Sequence, residues 1–363
     1  MPAPRGSPIS NASDGSDLSA LLTRQVLAAA RDRRPLRIVG GGTKAWYGRR
    51  VAGEPLDVGG HRGVIAYDPC ELVITARAGT PIGAIEAVLA DNGQMLGFEP
   101  PRFGPASTVG GAIASGLAGP RRPFSGAPRD FLLGATVLDG RGRTLRFGGT
   151  VFKNVAGFDA FRPMAGALGC LGVLLDVSLR VTPTPRAELS SSFEGDRPRS
   201  AAMLDGLMRR PLPLSGAFYD GERLHLRFSG ARAAVAAAAR ELGGEPTPAN
   251  FWSGVRDITL PGLDAPRLWR LSLPRRAPAL DLGGPCLHDW AGAQRWAITG
   301  AGAADIRAAA RNADGHATLF RGAEPGEDVF EPLPAPLMAL HKRIKAVFDP
   351  AGVLNPGRMY EDL

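Results

Sequence analysis

Lysine is nearly missing from this chain. Lys44, Lys153, Lys342 and Lys345 are its only lysines, and arginine supplies the rest of the 43 basic residues. The arginines are scattered, with no block of like charge and no aromatic side chains set between them. The formal net charge of +8 therefore reads as an arginine-rich composition, and nucleic acid is not an expected partner. Cysteine is scarce too: Cys70, Cys170 and Cys286 are far apart and never form a CxxC pair. That excludes a zinc ribbon or an iron–sulfur cluster and fits a reducing, cytoplasmic setting. No run of apolar residues reaches the length of a membrane-spanning helix. Residues 1–17, rich in Pro, Ser, Gly and Asp, read as a disordered tail and not a signal peptide. The histidines, His61, His225, His288, His316 and His341, never lie close in sequence. A metal pair at helical spacing is therefore absent, and each reads as a surface or satisfied core residue.

What remains is an ordinary globular composition, 44% hydrophobic and 21% charged, with 48 glycines and 32 prolines marking many turns. The length allows two or three domains. The chain is organised around Pro105 to Pro120. There Val109, Ile113 and Leu117 recur every fourth residue and give a short helix one inward face. Gly110, Gly111 and Gly116 each cost about 1 kcal/mol in a helix relative to alanine, so something must come close to this backbone. Ser107 or Thr108 can cap the helix, and the free N–H groups after the cap would form an anion site. The stretch reads as a cradle for a phosphate-bearing cofactor, with close helix packing through small residues as the alternative.

Before that stretch, a helix over Leu18 to Arg31, capped by Ser16 or Asp17, leads to a strand at Leu36–Val39. The strand runs into Gly40-Gly41-Gly42-Thr43-Lys44, a turn whose amides can converge on an anion with Lys44 adding charge. It is neither a Walker loop nor a dinucleotide fingerprint. Further strands are expected at 56–58, 63–67 and 71–79, then a helix from Pro81, at its first position, to Leu89. Phe131–Leu138 and Thr144–Phe147 form a hairpin about Asp139–Gly142. Gly166, Gly169 and Gly172 again leave backbone bare before a strand at Leu174–Val181. Thr182–Pro185 reads as a linker. Residues from about 186 to 334 alternate helices (201–208, 231–242) with strands (217–219, 223–228, 268–273, 317–320), which predicts a small α+β domain on one antiparallel sheet. A helix over Pro336–Phe348 precedes the tail.

The set RIVGGGTK, PASTVGGAIASG, RDFLLG, KNVAGFD, GALGCLGV and DPAGVLNPGR resembles the FAD-linked oxidases with the PCMH-type (vanillyl-alcohol-oxidase-like) flavin fold. The resemblance spans about residues 20–183 and 341–363. The short middle domain, with WRLSLP (269–274) and DWAGAQRW (289–296), is closer to the E-subunit branch of bacterial glycolate oxidases. The resemblance implies an α+β chain. Its PCMH-type FAD-binding domain of two α+β subdomains would span 18–183, and a small α+β cap with an antiparallel sheet would span 186–335. A C-terminal helix and tail at 336–363 would return to the flavin domain. Carried over by motif, Gly40, Gly41, Gly42, Thr43 and Lys44 would meet the pyrophosphate. Pro105, Ala106, Ser107, Thr108, Gly110, Gly111, Ala112, Ala114 and Gly116 would line the pyrophosphate and ribityl chain. Lys153, Asn154, Gly157 and Asp159, then Gly169, Gly172 and Val173, would follow along the flavin, and Asn355 and Gly357 would return to its edge.

Where many relatives attach FAD to a histidine, this chain has GGGTK, so the flavin is expected to be non-covalent. Leu168 and Cys170 stand where catalytic relatives carry Glu and Thr, and Cys170 reads as a small buried residue. No catalytic residue is assigned and no metal is expected. Arg270, Arg295 and Arg321 lie near the cap motifs but read as solvated surface arginines. The resemblance implies glycolate (2-hydroxy acid) oxidation to glyoxylate, with electrons passed through flavin to a partner and a quinone-type acceptor. The expected partners are a longer FAD-linked catalytic subunit and an iron–sulfur subunit, with membrane contact only peripherally through them. A non-catalytic scaffold subunit and a stand-alone 2-hydroxy-acid dehydrogenase remain alternatives. A bulky residue at Gly110 or Gly111 is expected to expel FAD before it unfolds the domain.

Overall fold

A computed structural model describes residues 16–149 and 159–363. The chain divides into two units: one holds the chain up to Leu117, Ala127–Thr184 and Pro332–Leu363, the other Ala118–Gly126 and Pro185–Glu331.

In the first unit the helix Ser19–Asp32 buries Leu22, Val26 and Ala29. Its N-cap is Leu18, while Asp17, one residue further out, accepts from Ser19 N at 2.9 Å. Leu36–Val39 pairs in parallel with Glu54–Asp57, and Leu36 also bridges to Leu354 near the C-terminus. A five-stranded antiparallel sheet runs in the order Val64–Asp68, Val73–Arg77, Val173–Arg180, Leu132–Leu138, Thr144–Gly148. Val109, Ile113 and Leu117, the every-fourth-residue stripe, are buried in this unit. Pro81 stands at the N-cap with extended backbone, and the helix starts at Ile82. The shift arises because Pro81 bridges to Thr108 and Ile82 N donates to Ser107 O, which holds the turn open by one residue. Thr182–Pro183, expected as linker, instead pairs with Gln94–Met95.

The C-terminal helix Ala335–Phe348 buries only Lys345. Its ammonium donates to Cys170 O at 2.8 Å, Leu354 O at 2.7 Å and Asp349 Oδ2 at 2.6 Å. All three donors are thereby satisfied. Asp349 accepts in turn from Val353 N and Leu354 N. One ion pair thus shapes the whole DPAGVLN turn.

The second unit is built on an eight-stranded antiparallel sheet. Its order is Glu245–Pro246, Ala187–Glu194, Arg223–Gly230, Leu214–Tyr219, Cys286–Asp289, Gln294–Ala297, Leu268–Ser272, His316–Arg321. Leu204, Leu207, Val235 and Ala238 of helices Arg197–Leu207 and Arg232–Leu242 pack on Leu224, Leu226 and Phe228. Ile306 and Ala310 of helix Ala303–Asn312 pack on Trp269, Leu271 and Leu319. Four of these strands had no signal in the alternation pattern: Ala187–Glu194 is serine-rich, Cys286–Asp289 and Gln294–Ala297 are four residues each, and Glu245–Pro246 is two. Residues 118–126 cluster here and not with the flavin-type unit. Trp290 Nε1 donates to Gly119 O at 3.0 Å, and the Arg122 guanidinium lies 4.2 Å from the Trp290 ring centroid.

Asp220 and His225 make a second such contact, Nε2 to Oδ2 at 2.8 Å. Burial pushes the Asp220 carboxyl up, but the His225 bond and the amides of Glu222 and Arg223 outweigh it and bring it down to about 2. A carboxyl lowered by folding stabilises the fold above its unfolded value, and that stability is lost as pH falls from about 4 towards 2. Asp220→Asn is therefore expected to lower stability at neutral pH. It should also make the acid limb of a urea-unfolding series shallower by up to about one proton.

Candidate functional site

One cleft of about 310 Å³ collects residues from four separated parts of the first unit. The strand Leu36–Val39 delivers the chain to the turn Gly40–Lys44. Gly42 takes φ +69°, where a β-carbon would meet nothing within 4 Å. Gly40 and Gly41 are bare for another reason. A β-carbon on Gly40 would lie 2.6 Å from Thr108 Oγ1, and one on Gly41 would collide with Ala106 O. The two glycine motifs therefore pack backbone to backbone, and this closeness holds the turn at the cleft. Among the described residues, no hydrogen bond occupies the amides of Gly41, Gly42 and Thr43.

The helix Val109–Ser115 forms the next wall. Thr108 caps it by accepting from Gly111 N, as its sequence suggests. The expected anion site at its start is not there, because the amides are already used. Val109 N donates to Thr80 O at 2.9 Å, Gly110 N to Ala78 O at 2.8 Å and Gly111 N to Thr108 Oγ1 at 3.2 Å. Gly110 is glycine because Ala78 lies against it, 2.6 Å from where a β-carbon would stand. A bulky residue there would break the packing of this helix on the chain at Ala78, so the expectation that it would first expel a cofactor is corrected. Gly111 differs: its β-carbon would approach only the flexible Thr108 hydroxyl, at 3.2 Å, and it lines the cleft.

The third wall is the segment about Leu168 and Gly169, tied to the C-terminus by Asn355. Asn355 Oδ1 accepts from Ile38 N at 2.7 Å and its Nδ2 donates to Leu168 O at 2.6 Å. Its own amide donates to Leu36 O at 2.9 Å. Asn355 adopts φ +43°, a conformation asparagine tolerates better than most residues. Cys170 is buried, with its thiol pushed up by burial, and its Sγ approaches Asn355 O at 3.6 Å. It is a packing residue, as the sequence suggested.

Four cations face the cleft: Arg37, Lys44, Arg50 and Arg358. Lys44 Nζ donates to Ser107 Oγ at 2.6 Å, which fixes its direction. Arg358 donates to the carbonyls of Lys44, Ala45, Tyr47 and Arg49, closing the loop after the glycine turn. Burial lowers its pKa, Cys170 opposes that and Arg37 adds to it. Arg37 and Arg50 have no hydrogen-bond or ion-pair partner among the described residues. No Asp, Glu, His, Tyr or Cys is among the described residues that line the cleft.

The cleft brings together Gly40, Gly41, Gly42, Thr43, Lys44, Thr108, Gly110, Gly111, Ala114, Gly169, Gly172 and Asn355 of the sequence candidates. Pro105, Ala106, Ser107, Ala112, Gly116 and Val173 do not line it: Ser107 orients Lys44, Gly116 is the left-handed C-cap, and Ala112 and Val173 are core. Lys153, Asn154 and Gly157 lie outside the described residues. Arg37, Arg50 and Arg358 were missed as site residues, although Arg37 and Arg358 are the arginines of the RIVGGGTK and NPGR motifs already singled out. The surface reading of Arg295 is overturned, since it is only 1% exposed. Among the described residues no cluster of His, Cys, Asp and Glu could hold a metal, and no helix is long and apolar enough to cross a membrane.

A family model described as "FAD binding domain" matches residues 21–148, and "FAD linked oxidases, C-terminal domain" matches 332–359. The chain is 49% identical over 348 residues to glycolate oxidase subunit GlcE of Escherichia coli strain K12, covering 96% of this chain and 99% of that one. It is 26% identical over 160 residues to glycolate oxidase subunit GlcD of Bacillus subtilis strain 168, covering 43% of this chain and 34% of that one. Among solved structures, alkyldihydroxyacetonephosphate synthase superposes with a TM-score of 0.63 at 15% identity, covering 92% of this chain and 74% of that one. At that identity the likeness is one of fold.

Proposed function

This chain belongs to the glycolate oxidase E-subunit family of FAD-linked oxidases, and we propose that it is the FAD-binding subunit of a complex that oxidises glycolate to glyoxylate. The observation that carries the reading is the charge of the cleft. Arg37, Lys44, Arg50 and Arg358 line the cleft together with a bare glycine turn with open amides, and no carboxylate is among the described residues that line it. That donor set suits a diphosphate, and the absence of a histidine in the turn suits a non-covalent cofactor. The Gly41–Thr43 amides with Lys44, Arg37 and Arg50 would hold the diphosphate. The glycines at 111, 169 and 172 would leave room for the rest of the ligand, and Asn355 would fix the two walls relative to each other.

FAD bound there supplies the acceptor for a hydride and its onward transfer as electrons. This chain's residues bind and orient it. With no Asp, Glu, His, Tyr or Cys among the described residues lining the cleft, and Lys44 held by Ser107, removal of the substrate hydroxyl proton falls to a partner subunit. The fitting partners are a longer FAD-linked subunit that carries this base and an iron–sulfur subunit that takes the electrons. The chain itself works as a soluble subunit that reaches any membrane only through them.

The test is the flavin content of the purified chain and of Gly111→Leu. The wild-type chain should be yellow, release FAD on acid denaturation, and turn over glycolate with a dye acceptor only when the partners are added. Gly111→Leu should stay folded, with its melting temperature without FAD nearly unchanged, and lose roughly tenfold or more in FAD affinity. A soluble Gly111→Leu that keeps full flavin overturns the placement, and full turnover by the chain alone overturns the assignment of the base to a partner.

A further inference from the structure

The DWAGAQRW segment has no part in the cleft described above, yet it is the most strained stretch of the second unit. Trp290, Ala291 and Gly292 take successive positive φ values of 51°, 57° and 92°. For tryptophan and alanine that conformation is unfavourable and persists only where the surroundings enforce it. The turn helps to wall a cavity of about 270 Å³ built wholly from residues of this unit.

Its floor is a row across three adjacent strands. Tyr219 is the register partner of His288, and His288 that of Arg295, so the three side chains share one face of the sheet. Arg295 is 1% exposed and has no ion-pair partner among the described residues. Its guanidinium donates only to the carbonyls of Ala277 and Pro278, and its Nε has no partner. Arg197 faces the same cavity from the first turn of helix Arg197–Leu207, half-buried and with no hydrogen bond or ion pair among the described residues. A cation at a helix N-terminus opposes the dipole. Arg275 and Arg276 complete the set and share one carboxylate, Asp205. Four guanidiniums against one carboxylate leave the wall three charges out of balance in a partly enclosed, low-dielectric space. Burial, then Arg295 and Arg197, bring His288 down to about 3, so it is neutral and adds no charge. The remaining wall is apolar, from Ala201, Leu204, Ala217 and Leu224.

We propose that this cavity is a binding site for a small aliphatic dicarboxylate, its charge held by Arg197 and Arg295 and its carbon body lying against the alanine and leucine wall. Two carboxylates offset most of the excess positive charge. Guanidinium pairs recognise planar carboxylates in a bidentate way, and the apolar wall favours an organic anion over inorganic phosphate. The ligand would also hold the strained Trp290–Gly292 turn in place.

The test is titration calorimetry of succinate into the full chain, with inorganic phosphate as the second probe. Succinate should bind saturably at one site, phosphate more weakly, and the His288 ring signals in NMR should move with saturation. Arg197→Glu should weaken succinate binding roughly tenfold or more. Without succinate it should melt no lower than wild type, because it removes a like-charge neighbour and places an acid in the first helical turn. Arg199→Glu, the same charge change on the outer side of the helix, should bind as wild type does. No succinate binding, or equal loss in both variants, overturns the site; phosphate binding as tightly as succinate overturns the dicarboxylate assignment.

Discussion

Replacing Asn355 with leucine is expected to lower the flavin content of the protein and to destabilise the first unit together. The substitution leaves the half-buried Ile38 N–H and the buried Leu168 C=O without partners. Each orphaned buried group costs about 1–3 kcal/mol, and a leucine forced into left-handed backbone adds roughly 1 kcal/mol more. The sum, about 3–7 kcal/mol, is a large part of the roughly 5–15 kcal/mol that holds a typical domain together. Urea unfolding and flavin stoichiometry measured on the same samples check it. Asn355→Asp separates the two bonds. It keeps the acceptor for Ile38 N but sets a carboxylate oxygen against Leu168 O. Its protonated form restores a donor there, so folding raises this carboxyl's pKa, and the variant should gain stability and flavin as pH falls. An Asn355→Leu protein with wild-type stability and flavin content would show that the cleft walls do not depend on this side chain.

The second large effect is expected at Lys345. Lys345→Met removes the cation from a buried pair and leaves the fully buried Asp349 carboxyl without it. Breaking one side of such a pair costs about 3–5 kcal/mol. The lost ammonium also abandons the carbonyls of Cys170 and Leu354, next to the Gly169–Asn355 contact. The double variant Lys345→Met/Asp349→Asn should recover part of the loss, because the stranded charge is gone while one oxygen remains to accept from either the Val353 or the Leu354 amide. A double variant no more stable than the single one would mean that the carbonyl bonds matter and the charge does not. Chemical denaturation of the three proteins at one pH reads the difference directly.

The glycine motifs show how a correct local reading can rest on the wrong neighbour. Gly110 was legible as a place where something comes close, and something does: Ala78. The helix cap at Thr108 was legible as well, but its exposed amides were not, because Thr80 O and Ala78 O reach them from a strand end some thirty residues earlier. The proposed anion contacts therefore lie at the Gly41–Thr43 turn and at arginines, two of which stand inside motifs that had been read for their glycines alone. In the second unit, Arg295 looked like one more solvated arginine, and only strand register set it beside His288 and under Arg197.

By itself, the sequence determined the local elements and the kinship. The strand at 36–39, the helix at 109–115 and the C-terminal helix follow from apolar spacing, capping residues and glycine, which act over a few residues. The ordered set of glycine motifs identified the flavin fold in the same way. The tertiary structure alone decided which groups meet. Asn355 bonds to Ile38 across 317 residues of chain, Lys345 is the one buried residue of its helix, and four arginines line one cavity that holds a single carboxylate. Contacts of that range depend on register and on the packing of whole elements, and no window of sequence carries them.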